Sequence, residues 1–408
     1  MADSKALSAI LAESRDEQRQ FLGEIVRVAS DNPPGDGLPH AERTAALLER
    51  LGFSVERHPV PAALVERHGM RRITNLIVRE RFGAGPTIAL SAHGDVVPPG
   101  EGWSVDPYSA EIRNGTMYGR GVAVSKSDFA TYAFALLALK RLGAPLRGTV
   151  ELHLTYDEEA GGYCGPHWLL ERKITRPDAV IYAGFAYAIA TSHKGCLHLE
   201  VTVRGRSAHA AEPWRGADAL EAAQLALGRL YRYREELATV CSAIHGIGSP
   251  TLVIGLIEGG INTNVVPDRV TFRLDRRLVP EERAEEAERA IQRIVREACQ
   301  SLDGTEPLFR RIMLAEALRP APGTDALVSV LQRHAEQVIG GAIPVVGLPL
   351  YTDARHYAAA GIPVAIYGAG PRTIAEAGGH GPDERLVLAD LDKATSVVAS
   401  TLAELLGG

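Results

Sequence analysis

No run of about 18 apolar residues occurs in the 408-residue chain, which excludes an ordinary membrane-spanning helix. Cysteine is scarce: Cys164, Cys196, Cys241 and Cys299 form no CxxC pair and keep no regular spacing. That scarcity excludes a zinc-finger module or a disulfide framework and fits a reducing cytoplasm. There is no block of lysine or arginine, and the formal charge is −6, so a nucleic-acid or anionic-membrane surface is not expected. Neither a low-complexity tract nor a repeat at solenoid spacing appears. The first residues, "MADSKALSAILAESRDEQRQFLGEIV", lack a continuous apolar core and a cleavage site, and read as a first helix of the mature protein. A small-molecule partner is the expectation that these absences leave.

The composition that remains, 46% hydrophobic and 23% charged, is that of a globular chain long enough for two or three domains. From residue 39 to 200, helical stretches such as "AERTAALLERLG" and "DFATYAFALLALKRLG" alternate with apolar strands such as "TIALSAHGD", "TVELHLTYDEE" and "DAVIYAG". This alternation predicts an α/β domain with a mostly parallel sheet. The rhythm changes near residue 195. "CLHLEVTVRG", a helix, "TLVIGLIEGG", "VTFRLDRRLV", a second helix and "EPLFRRIML" give the order β-α-β-β-α-β of a ferredoxin-like insert. The expected layout is a catalytic α/β domain over 1–194 and 313–408, interrupted by a smaller domain over 195–312.

Chemistry is concentrated at strand ends, where ligands gather in parallel sheets. "ALSAHGDVVP" ends in His93 and Asp95, a candidate metal ligand with a carboxylate behind it to fix its tautomer. "LHLTYDEEAGG" ends in Glu158 and Glu159; neighbours leaving a strand point opposite ways, so one can hold a metal while the other acts as general base. His380 stands in the glycine-rich "GGHGPDERL". Each feature alone has a plain structural alternative: a core histidine, a solvated acidic loop, a surface histidine. Together, two histidines and a carboxylate form a ligand set for zinc or another divalent ion.

Seven stretches, "HGDVVP", "GWSVDPYSAEIRNGTMYGRG", "YDEEAGG", "VRGRSAHAAEPWRGADAL", "EGGINTNVVPDRVTFRLDRR", "TDARHY" and "GGHGPDE", follow one another as in the aminoacylase, acetylornithine deacetylase and succinyl-diaminopimelate desuccinylase group of metallopeptidases, which the chain resembles over nearly its whole length. The resemblance implies a two-zinc catalytic core and an inserted lid that dimerises. It makes His93 a ligand of the first metal, Glu159 and His380 ligands of the second, Glu158 the general base and Asp95 the carboxylate behind the ligands. His209 corresponds to a lid histidine that polarises the scissile carbonyl. Asn264 and Arg277 correspond to lid residues that hold the substrate, the arginine suiting a carboxylate. Tyr351 and Arg355, at the "TDARHY" stretch, are further substrate-binding candidates.

Two positions depart from that pattern. The aspartate that bridges the metals is replaced by Val124 in "GRGVAVSKSD", and a carboxylate ligand of the first metal is replaced by Gly184 in "DAVIYAGFAY". Two divalent ions roughly 3.5 Å apart need a shared carboxylate to offset their repulsion, and valine supplies none. The expectation is therefore a single divalent ion per chain, zinc first and manganese, cobalt or iron as alternatives, held by His93, Glu159 and His380. Asp128, about one turn into the following helix, is a displaced carboxylate that could join it, or an acid favouring the helix N-terminus. The resulting expectation is a cytoplasmic, homodimeric hydrolase of amide or related C–N bonds. Its competitors are a metal-independent acid/base catalyst on the same scaffold and a non-catalytic binder of small anions.

Overall fold

The computed structural model describes residues 4–407. The chain divides into two units. One comprises the residues up to Thr191, Pro320–Val345 and those from Thr352 onward; the other comprises Ser192–Arg319 and Val346–Tyr351. The second unit thus begins and ends further out than the expected 195–312, and takes in a short return segment that precedes "TDARHY".

The first unit is built on six strands of a larger sheet, in the order Val55–Pro59, Thr74–Arg81, Thr149–Thr155, Thr87–His93, Ala179–Tyr182 and Val364–Ile366. The central strands Thr87–His93, Thr149–Thr155, Ala179–Tyr182 and Val364–Ile366 run parallel. Parallel strands are covered on both faces, and here Ile88 to His93 and Val150 to Thr155 are all buried. Buried polar groups in these strands are paired. Tyr357 donates to Ser91 Oγ at 3.1 Å, and the His153 ring bridges Tyr357 Oη at 2.9 Å and Glu151 Oε2 at 2.8 Å.

The helix Lys126–Leu142 is buried from Lys126 to Leu139, packs against Leu388–Leu405, and ends at Gly143, whose φ of +61° a side chain rarely adopts. The first helix, Ser4–Glu13, falls within the stretch expected to be helical; the expected first three residues lie outside the described ones.

The second unit carries a four-stranded antiparallel sheet in the order Thr251–Gly259, Arg269–Leu278, Gly195–Arg204, Glu306–Ala315, with the helices Ala219–Ala238 and Ala284–Cys299 connecting strands. This is the expected ferredoxin-like insert. Period-two alternation on Gly195–Arg204 buries Leu197, Leu199, Val201 and Val203 with Phe272, Leu274, Ala222, Ala226 and Ile291. The opposite face carries Cys196, His198 and Glu200. Asp218 caps the first of these helices, accepting from the N–H groups of Leu220 and Glu221.

Candidate active site

The site in the first unit is organised by Asp95, which lies just past the carboxyl end of Thr87–His93. Its carboxylate is buried and accepts three N–H groups: Asn32 Nδ2 at 3.0 Å, Glu158 N at 3.2 Å and Glu159 N at 3.1 Å. Asp95 therefore fixes the backbone of the next strand's end. That strand stops at Thr155, and Glu158–Ala160 is a short 3-10 turn rather than a strand extension. The backbone donors of the two glutamates in this turn are satisfied by Asp95. The reverse turn continues through Gly161 and Gly162, both at positive φ.

His93 is buried, with Nδ1 3.0 Å from the Asp95 carbonyl and 3.4 Å from its carboxylate Oδ1. Burial opposes a charged imidazole, but Glu158, Asp95 and Glu159 outweigh it and push His93 up to about 10. Glu158 is pushed well above the usual carboxylate range, first by burial and then by its acidic neighbours, against the pull of His93. Glu159 lies 3.4 Å from His380 Nε2, and this contact raises the His380 pKa. His380 sits at φ +62° in a loop, its side chain 58% exposed.

The structure thus brings together His93, Asp95 and Glu158 on one side and Glu159 with His380 on the other. The ligand atoms of His93, Glu159 and His380 do not all lie within 4.8 Å of one another, a condition that one trio among the described residues meets, Cys196, His198 and Asp275.

Val124 lies beside this site, its Cγ2 3.9 Å from where a Cβ on Gly379 would be. The loop carrying it is clamped by Glu384, a residue the sequence showed only as part of an acidic pair. Glu384 accepts from Gly121 N, Ala123 N and Val124 N and pairs with buried Arg120 at 2.7 Å. At Gly184 there is no room for a side chain: a Cβ would lie 2.5 Å from Ile366 Cγ2 and 3.0 Å from Tyr367 N.

Asp128 is buried, and its oxygens accept from Gly184 N at 3.2 Å and Ala369 N at 2.7 Å. Burial raises it to about 7 despite these bonds. The carboxylate considered as a displaced metal ligand is therefore occupied with backbone, as the acid of a helix N-terminus that also ties down two loops.

Arg355 does not face outward as a substrate-binding group would. It is buried, donates to Gly161 O at 2.6 Å and Thr352 O at 3.3 Å, and pairs with Asp353 at 3.4 Å. Its partner Asp353, passed over in the sequence, is fully buried and raised to about 6, burial outweighing Arg355. The "TDARHY" stretch thus supports the turn that presents Glu158 and Glu159.

In the second unit His209 and Asn264 are neighbours and both exposed: His209 bridges Val265, and Ala210 N donates to Asn264 O at 3.0 Å. Arg277 is half-buried, its Nε on Asp275 Oδ1 at 3.0 Å and its guanidinium 5.8 Å from the centre of the Tyr351 ring. His209 with Asn264 and Arg277 with Tyr351 are thus two groups within that unit.

The family model for Peptidase family M20/M25/M40 matches residues 89–404, and the chain belongs to that family. It is 28% identical over 376 residues to the succinyl-diaminopimelate desuccinylase of Rhodospirillum rubrum, covering 86% of this chain and 89% of the relative. It is also 28% identical over 378 residues to the acetylornithine deacetylase of Myxococcus xanthus, covering 91% and 93%. Among solved structures, the dipeptidase Dug1p of Saccharomyces cerevisiae superposes with a TM-score of 0.79 at 15% identity over all of both chains. The YXEP protein of Bacillus subtilis, a dinuclear metal-binding peptidase, superposes with a TM-score of 0.67 at 17% identity over 99% of each chain. The protein is accordingly a hydrolase of amide bonds. No helix among the described residues is long and apolar enough to cross a membrane.

Proposed function

We propose that the chain hydrolyses an N-acyl or peptide amide in a small substrate bearing a carboxylate, with one divalent ion, zinc foremost, held by Glu159 and His380 and completed by His93. The observation that carries this reading is the grip of Asp95 on both Glu158 N and Glu159 N. It orders a potential base and a potential ligand side by side. The donor set suits a cation: Asp95, Glu158 and Glu159 act on His93, and Glu159 also pairs with His380, an excess of acid that a divalent ion would offset. Such an ion would polarise a bound carbonyl and acidify water.

The roles left to the chain's own residues are then distinct. Glu158, buried beside His93, takes a proton from the attacking water and returns it to the leaving nitrogen. His209 stabilises the developing oxyanion, Arg277 with Tyr351 holds the substrate carboxylate, and Asn264, beside His209, contacts the substrate. Arg355 positions the catalytic turn. The second unit dimerises through its edge strand Thr251–Gly259, where Val253, Leu256 and Ile257 are exposed. The four cysteines form no disulfide, in keeping with a cytoplasmic setting.

The test is Glu158→Gln assayed against a panel of N-succinyl, N-acetyl and dipeptide substrates. The variant should lose about 10²- to 10⁴-fold in kcat while binding the same amount of metal. Hydrolysis that survives the substitution would remove Glu158 from the mechanism.

A further inference from the structure

Outside the catalytic cluster, one group of side chains in the second unit has the donor set of a transition-metal site. Cys196 and His198 are two apart on the strand Gly195–Arg204, so their side chains leave the same face of the sheet. Asp275, on Arg269–Leu278, is the cross-strand partner of His198. Its Oδ2 lies 2.8 Å from His198 Nε2 and 3.5 Å from Cys196 Sγ, and all three donor atoms lie within 4.8 Å of one another. This face is turned away from the two helices, and the side chains of His198 and Asp275 are 37% and 28% exposed, which leaves a route for an ion.

We propose that Cys196 Sγ, His198 Nε2 and Asp275 Oδ2 bind one divalent transition ion of the zinc type, with solvent completing a tetrahedron. Sulfur, imidazole and carboxylate donors together select zinc or cobalt over magnesium or calcium. A thiolate and a carboxylate neutralise the ion's two charges. Asp275 keeps its other oxygen on Arg277 Nε at 3.0 Å, a bond that orients the ligating oxygen. Binding replaces the thiol proton by the metal, so one proton is released per ion bound.

Cobalt(II) titration of the full metal-stripped chain distinguishes this site from the catalytic one, because the ligands proposed there, His93, Glu159 and His380, offer nitrogen and oxygen but no sulfur. A near-ultraviolet thiolate-to-cobalt charge-transfer band, saturating at about one ion per chain, is expected. Cys196→Ser should abolish the band and lower bound cobalt by one equivalent. His198→Gln, at a partly exposed position that leaves the buried cysteine in place, should keep a thiolate and weaken cobalt binding at least about tenfold. No charge-transfer band in the native chain at saturating cobalt, or a band that persists in Cys196→Ser, would overturn the assignment.

Discussion

Asp95 accepts the backbone N–H of Glu159 at 3.1 Å, although the two residues follow different strands of the central sheet. Together with its bond to Glu158 N, this makes the carboxylate a splint for the catalytic turn as well as a neighbour of His93.

Asp95→Asn tests the splint. The amide turns one acceptor into a donor facing an N–H, and a buried mismatch of that kind costs about 1–3 kcal/mol. The turn carrying Glu159 should loosen, so metal affinity is expected to fall about 10- to 100-fold. Urea unfolding and metal titration read the two effects separately; unchanged metal affinity at normal stability would show that Asp95 does not position the ligands.

The clamp between Arg120 and Glu384 yields a second expectation. Both side chains are almost wholly buried, so Glu384→Gln leaves a guanidinium charge without its partner and should destabilise the chain by about 3–5 kcal/mol. The double variant Arg120→Met with Glu384→Gln should recover part of that loss, since no uncompensated charge remains. Denaturant midpoints for the two variants check the order, which would fail if the double variant were the less stable.

Much of the fold was legible because burial dictates pattern. The continuous apolar runs around Ile88 to Ala92 and Val150 to Leu154 mark strands covered on both faces, and the alternation from Leu197 to Val203 marks a strand covered on one. The local geometry of the site was less legible. A strand continuing through Glu158 and Glu159 is a fair reading of "TYDEEAGG", but the turn is imposed by Asp95, more than sixty residues earlier in sequence. Arg355 looked like a substrate arginine, since nothing in "TDARHY" shows that the carbonyl of Gly161 waits beside it. Glu384 acts through long-range bonds to the backbone of Gly121, Ala123 and Val124, which local sequence does not encode. The close packing at Gly184 was likewise invisible, because it depends on Ile366.

Lys126 provides a test in pH. It is fully buried with Nζ on Val28 O, and burial lowers it from 10.5 to about 7, against the pull of Glu384, Asp31 and Asp95. Between pH about 7 and 10.5 the unfolded chain binds a proton at this residue that the folded chain does not, so this group's contribution to stability rises with pH across that window. Asp128 acts in the opposite sense at lower pH: raised from 3.8 to about 7, it makes stability fall as pH climbs between those values. Lys126→Met should make the net alkaline slope less positive, the raised His93 opposing Lys126 in that window, and leave the acid-side slope in place. Thermal or urea unfolding at several pH values measures both; an unaltered alkaline slope in Lys126→Met would assign it to other groups.

Val124 and Gly184, which the resemblance aligns with metal-ligand positions, allow the proposed metal count to be tested by reconstruction. Val124→Asp restores only the bridging carboxylate, and the ion that it would help to hold still lacks its terminal one, so bound metal should stay at about one per chain. Gly184→Glu meets a packed wall: its Cβ falls 2.5 Å from Ile366 Cγ2, and overpacking of this kind costs about 1–3 kcal/mol. Combining these two substitutions should therefore give a destabilised protein before it gives a second metal. Adding Ile366→Ala removes the side-chain obstacle, leaving the backbone approaches to Tyr367 N at 3.0 Å and Ile366 C at 3.2 Å. The triple variant is thus the one expected to gain a second catalytic-site ion. Counting ions needs Cys196→Ser in every background, so that the sulfur site in the second unit does not contribute. Elemental analysis after dialysis then reads the number directly: two tightly held ions with Val124 and Gly184 intact would show that the native site is already dinuclear and would overturn the single-ion reading.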